Sequence, residues 1–162
     1  MKIPVQKIAE LSILTALSVV LRFAFVDFPN VKPITALFLV LVIYYSLTDS
    51  LIVMSLTMIV TGLFLGFGWI VAGQIISYSI ILFLFRIVTK RSQILQNLLI
   101  LPLIFLWGFI ISAISALIYG FGFAGLIGYW LAGLGFDGLH AISTFIFFPI
   151  LMLIFKQIKT RR

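Results

Sequence analysis

Cysteine is absent from this chain, which excludes disulfide frameworks and thiolate metal sites. Histidine occurs once, as His140, and a lone imidazole makes no multi-histidine metal centre. Neither a metal nor a cofactor is expected. Charge is scarce: Asp, Glu, Lys and Arg make up 9% of the 162 residues, while 64% are hydrophobic. Soluble domains average about 25% charged and about 45–50% apolar. So few polar residues cannot cover a water-facing surface, and a soluble globular domain is excluded. Catalytic signatures are missing as well. There is no HExxH, no pair of intramembrane aspartates, no Gly-Lys-Ser/Thr phosphate loop and no nucleophile beside a base. The chain is therefore not expected to be an enzyme, and energy from ATP must come from a partner. No internal repeat is visible, so an inverted-repeat transporter has no support. Met1-Lys2-Ile3-Pro4 opens a segment with no small-residue cleavage site after its first apolar run, and a cleaved signal is not expected.

What the sequence does have is apolar length and a lopsided charge. The formal net charge is +7. In a soluble protein this would point to nucleic acid; in an apolar chain the economical reading is membrane topology, because Lys and Arg collect in cytoplasmic loops. No nucleic-acid partner is expected. A spanning helix needs about 20 apolar residues, which allows six to eight spans and no separate soluble domain. Residues 1–162 read as one transmembrane domain. Spans fall in the charge-poor intervals: residues 8–21, 33–48, two within 50–85 split at Gly66-Phe67-Gly68, 98–119, and 138–155.

The glycine-rich stretch 120–135 reads as a seventh span or as an elaborated loop, and charge decides between them. Six spans place Lys2, Lys7, Arg86, Lys90, Arg91, Lys156, Lys159, Arg161 and Arg162 on one side and leave Arg22 and Lys32 opposite. Seven would carry the C-terminal cluster across, against the positive-inside tendency. The expected fold is an all-α integral membrane protein, a compact bundle of six transmembrane helices with both termini cytoplasmic. Stretch 120–135 becomes a long outer loop, with room for a short helix at or dipping into the interface. Elaborated outer loops (22–32, 66–69, 120–137) against terse inner ones point to ligand capture outside.

Several residues carry candidate chemistry. In Phe28-Pro29-Asn30-Val31-Lys32-Pro33 two prolines fix φ, and Pro33 suits the first turn of a helix. The segment reads as a rigid turn with Lys32 anchored at headgroups, or as Asn30 and Lys32 offering donors to a ligand. Gln74 and Tyr78 share one helix face, and an amide in a charge-free interval needs partners, from another helix or from a ligand. Trp69, Tyr119, Tyr129 and Trp130 fit an aromatic belt and would equally stack on a planar ligand. Asp137 and His140 read as a helix N-terminus favoured by the dipole or as a proton relay. Arg22 is expected to pair with Asp27 or to snorkel outward. Ser12 and Ala16 form a small-xxx-small pair that lets another helix approach closely.

Six spans in so short a chain, the Pro-Asn-Val-Lys-Pro segment after the first span, and a Gly-x-Gly turn leading to Gln74 together resemble a family. That family is the substrate-binding S components of energy-coupling factor (ECF) transporters. Residues 28–37 and 63–78 resemble the subgroup assigned to cobalamin or its dimethylbenzimidazole precursor. The matching residues are Pro29, Asn30, Pro33, Thr35, Ala36, Leu37, Gly66, Gly68, Gln74 and Tyr78. The subgroup has more Trp and Pro before the Gln, where this chain has Ile70, Val71, Ala72 and Gly73. The resemblance implies a vitamin-uptake subunit in a bacterial cell membrane, multi-pass and without catalytic activity. It would bind a vitamin-class ligand near its outer face and dock on a transmembrane coupling subunit attached to two ATPase subunits. It would then topple in the lipid bilayer to release its cargo. Ser12 and Ala16 would stand where the family meets the coupling subunit. The substrate-binding residues expected are Asn30, Lys32, Trp69, Gln74, Tyr78, Tyr129, Trp130 and His140. The alternative is a stand-alone proton-coupled carrier using His140 and Asp137.

Overall fold

A computed structural model describes residues 4–160. Among the described residues the chain is entirely helical and has no strands: α1 Val5–Ala24, α2 Pro33–Tyr44, α3 Leu47–Leu65, α4 Trp69–Val88, α5 Gln93–Tyr119 and α6 Gly122–Thr160. The breaks follow local chemistry. Pro33 occupies the first turn of α2, where its missing N–H costs nothing. Ser46 caps α3: its hydroxyl accepts from the Asp49 backbone N–H and donates to the Asp49 carboxylate at 2.7 Å, which satisfies one of the orphan donors of the first turn. Between α3 and α4 the chain turns at Gly66, whose φ of +111° disfavours any residue with a Cβ. Gly120 and Gly122, both at positive φ, reverse the chain between α5 and α6.

Helices α3 to α6 are each long and apolar enough to cross a membrane. Helix α2, with 12 residues, rises about 18 Å, well short of a hydrocarbon core of about 30 Å. It is instead enclosed: every residue from Pro33 to Val42 is buried, packed by α1, α3, α4 and α6. A helix apolar all round belongs inside a bundle, and this one is its axis.

Side-chain pairs give the helix directions. Lys7 meets Asp49 at 2.8 Å and Arg22 meets Met58, so α1 and α3 run parallel. Lys32 meets Ser143 and Tyr44 meets Met152, so α2 and α6 run parallel. Lys7, Arg86, Lys90, Arg91, Lys156 and Lys159 therefore share one end of the bundle, with Arg22 and Lys32 toward the other. Lys2, Arg161 and Arg162 lie outside the described residues.

The structure corrects three boundaries. Stretch 120–135 is not a loop: α6 is one helix of 39 residues, running without a turn from Gly122 through the region expected to be irregular. Glycine lowers helix propensity by about 1 kcal/mol in water, but within a membrane the helix is the form that satisfies every backbone group internally. The outermost connection is thus a helical hairpin, turned within Gly120–Gly122. The second helix ends at Tyr44 rather than residue 48, and the third begins at Leu47 rather than residue 50.

Candidate binding site

Where α1 ends, the chain makes a short turn and enters α2. Asn30 sits at φ 55°, the one non-glycine residue at positive φ among those described; asparagine tolerates this region better than most residues. The turn is held by hydrogen bonds from the Val31 N–H to the Phe28 carbonyl and from the Lys32 N–H to Ser143 Oγ. The second bond fastens the start of α2 to α6. This turn roofs a cavity of about 220 Å³ whose lining includes Arg22, Phe28, Asn30, Lys32, Gln74 and Tyr78. The Phe28–Pro33 segment and the Gln74/Tyr78 face, distant in sequence, are two walls of one chamber.

Arg22 was expected to pair with Asp27 or to reach outward. It turns inward: Nη2 donates to Gln74 Oε1 at 3.1 Å and Nη1 reaches Met58 Sδ at 2.6 Å. A guanidinium turned into an apolar bundle needs acceptors, and the amide of Gln74 supplies one. Lys32 places its ammonium 4.3 Å from the centroid of the Trp107 ring, a cation–π contact that gains strength with desolvation. Burial, then repulsion from Arg22, lowers the Lys32 pKa from 10.5 to about 7, against the opposing pull of Asp137.

Beneath the cavity lies a buried polar core. Thr35 Oγ1 lies 3.0 Å from the Tyr78 hydroxyl and 2.8 Å from His140 Nε2, and all three residues are essentially inaccessible. Tyr78 packs edge-on against Phe38 and tilted against Trp107, which in turn meets His140. Ser143 and Thr144 both donate to the His140 carbonyl. The Nδ1 of His140 and the Nε1 of Trp107 have no hydrogen-bond partner among the described residues, an uncommon state for buried polar groups.

Asp137 and His140 are not joined by any hydrogen bond. The Asp137 carboxylate lies directly on Gly108 of α5, in space that a Cβ at that position would occupy. The glycine is what lets α5 and α6 approach here. Asp137 opens onto a second, wider cavity of about 550 Å³, lined among others by Asn30, Trp107, Ser112 and Tyr129. The two cavities share Pro29 and Asn30.

Of the expected binding residues, Asn30, Lys32, Gln74 and Tyr78 line the first cavity, and His140 stands two hydrogen bonds behind its Tyr78 wall, through Thr35. Tyr129 belongs to the second cavity. Trp69 lies apart from both: its indole N–H donates to the Tyr119 hydroxyl at 3.2 Å and the two rings meet edge-on. Trp130 packs on Phe109. Ser12 and Ala16 are exposed on α1, which packs chiefly on α2 and α3. Arg22, Thr35, Trp107 and Ser143 were not expected at the site. Arg22, a charge inside an apolar helix, and Thr35, within the matching run 28–37, were the signals that could have flagged them. No family model, curated protein or solved structure matches the chain.

Proposed function

We propose that this chain is the substrate-binding S component of an ECF-type importer. It would take a vitamin-class small molecule from the outer side and pass it inward while docked on a coupling subunit with two ATPases. The single observation that carries the reading is the convergence of residues 28–33 with Gln74 and Tyr78 on one cavity. These are the two stretches in which the resemblance to S components resides. In this reading all six helices lie in the membrane and both termini are cytoplasmic. The gathering of Lys7, Arg86, Lys90, Arg91, Lys156 and Lys159 at one end supports that orientation. The cavity volume favours a ring-sized molecule over cobalamin itself: about 150 Å³ suffices for benzene in an apolar cavity, and 220 Å³ adds only a few atoms.

Mass spectrometry of whatever small molecule co-purifies is the direct test. With that molecule as ligand, Asn30→Ala and Gln74→Ala are each expected to weaken binding by roughly 2- to 13-fold, as one lost hydrogen bond of about 0.5–1.5 kcal/mol implies. The measurement is quenching of tryptophan fluorescence. Unchanged affinity in both variants would remove this cavity from the function. On α1, Ala16→Leu is expected to abolish co-purification with the coupling subunit and spare ligand affinity, because a bulky side chain keeps two helices from close contact. Survival of the complex would mean that docking uses another face.

A further inference from the structure

We infer that the ligand of the first cavity is anionic, its carboxylate or phosphate held between Arg22 and Lys32; this rests on the small-molecule reading above and specifies its substrate class.

The cavity is lined by two cations, Arg22 and Lys32, and by no acidic residue. Neither cation has a carboxylate within ion-pair distance among the described residues; Lys7 pairs with Asp49 at the far end. The acid closest in its influence on Lys32 is Asp137, and it lies on Gly108 and lines the second cavity. Two like charges beside one cavity within an apolar bundle repel and are poorly solvated. An anion between them relieves both costs.

The neutral groups agree in hydrogen-bond sense. Gln74 spends its carbonyl oxygen on Arg22, which leaves its NH₂ to donate. Thr35 has one proton to share between Tyr78 and His140. Of the two imidazole tautomers, the one with Nε2–H leaves a bare Nδ1 lone pair, whereas the other leaves a buried N–H unpartnered, the rarer defect. With Nε2 donating to Thr35 and Thr35 donating to Tyr78, the phenolic proton points away from Thr35, free for an acceptor in the cavity. Guanidinium, ammonium, amide NH₂ and phenol then form a rim of donors. An acceptor-rich anion of ring size satisfies it; a neutral amine or a cation does not.

The test uses the full chain in detergent with benzoate and benzamide, two molecules of one shape that differ in charge, read by tryptophan quenching and thermal protection. Benzoate is expected to bind at least tenfold more tightly, with Arg22→Gln and Lys32→Gln each removing the preference, and Lys32→Arg, which keeps the charge, retaining it. A carboxylate or phosphate on the co-purified molecule also supports the inference. Equal binding of the two probes, or a neutral or cationic co-purified molecule with neither probe bound, overturns the anion and leaves the small-molecule reading standing. Neither probe bound and nothing co-purified overturns both.

Discussion

Thr35→Val is expected to destabilise the protein by about 2–6 kcal/mol, read as a lower unfolding temperature in detergent. Valine matches threonine in shape, so packing around α2 is kept and only the hydroxyl is lost. That hydroxyl joins the Tyr78 phenol at 3.0 Å to His140 Nε2 at 2.8 Å, in a region with no exposed surface on Thr35 or His140. Its removal orphans two buried polar groups at once, each costing about 1–3 kcal/mol. Thr35→Ser, which restores the oxygen, should recover most of the loss. An unchanged unfolding temperature in Thr35→Val would mean that the three side chains do not form one network. The variant should also weaken ligand binding, because Tyr78 forms part of the cavity wall and its hydroxyl would no longer be oriented from behind.

Raising the pH from about 6 to about 9 should move stability and ligand affinity in opposite directions, and Lys32 is the reason. Its pKa falls from 10.5 to about 7 in the folded protein. Between these values the unfolded chain holds a proton that the folded chain has released, so stability rises with pH across that window. An anionic ligand needs the charged ammonium, so its affinity falls above about pH 7, by up to tenfold per pH unit. Benzoate stays ionised throughout, which leaves the protein as the source of the change. The other titratable groups around Lys32 are Arg22 on α1, Tyr78 on α4, and Asp137 and His140 on α6. Lys32→Met separates its contribution from theirs: both slopes should flatten. A persistent fall in affinity in that variant would assign the titration to one of these neighbours.

The two effects share one cause. A cation placed where it is poorly solvated and beside another cation is held at a cost in the free protein, and a ligand that removes the cost gains affinity from it. This is ordinary linkage between protonation, folding and binding. It also accounts for the position of Trp107: the ring face provides Lys32 with a contact that needs no counter-ion.

Apolar run length and turn chemistry sufficed for most of the architecture. The split at Gly66-Phe67-Gly68 and the end of α5 at Tyr119 fall where the sequence places them, because glycine at positive φ and the exhaustion of an apolar run are local properties. Pro33 opens α2 for the same reason. The pairing of residues 28–33 with Gln74 and Tyr78 was legible only as two separate motifs. That they face one cavity depends on α2 and α4 packing together. Three features needed the assembled bundle. Helix α6 runs through a glycine-rich stretch because its alternatives leave backbone groups unsatisfied in lipid, a constraint that composition does not display. Arg22 turns toward Gln74 and Met58 instead of Asp27, since a partner's distance along the chain says nothing of its distance in space. His140 and Asp137, three residues apart, face different neighbours: one bonds Thr35, and the other rests on Gly108. Helicity, apolar length and charge gathered chiefly at one end follow from residue type and spacing. Which polar side chains meet follows from the packed bundle alone. Burial makes each of them need a partner, and packing chooses among the partners within reach.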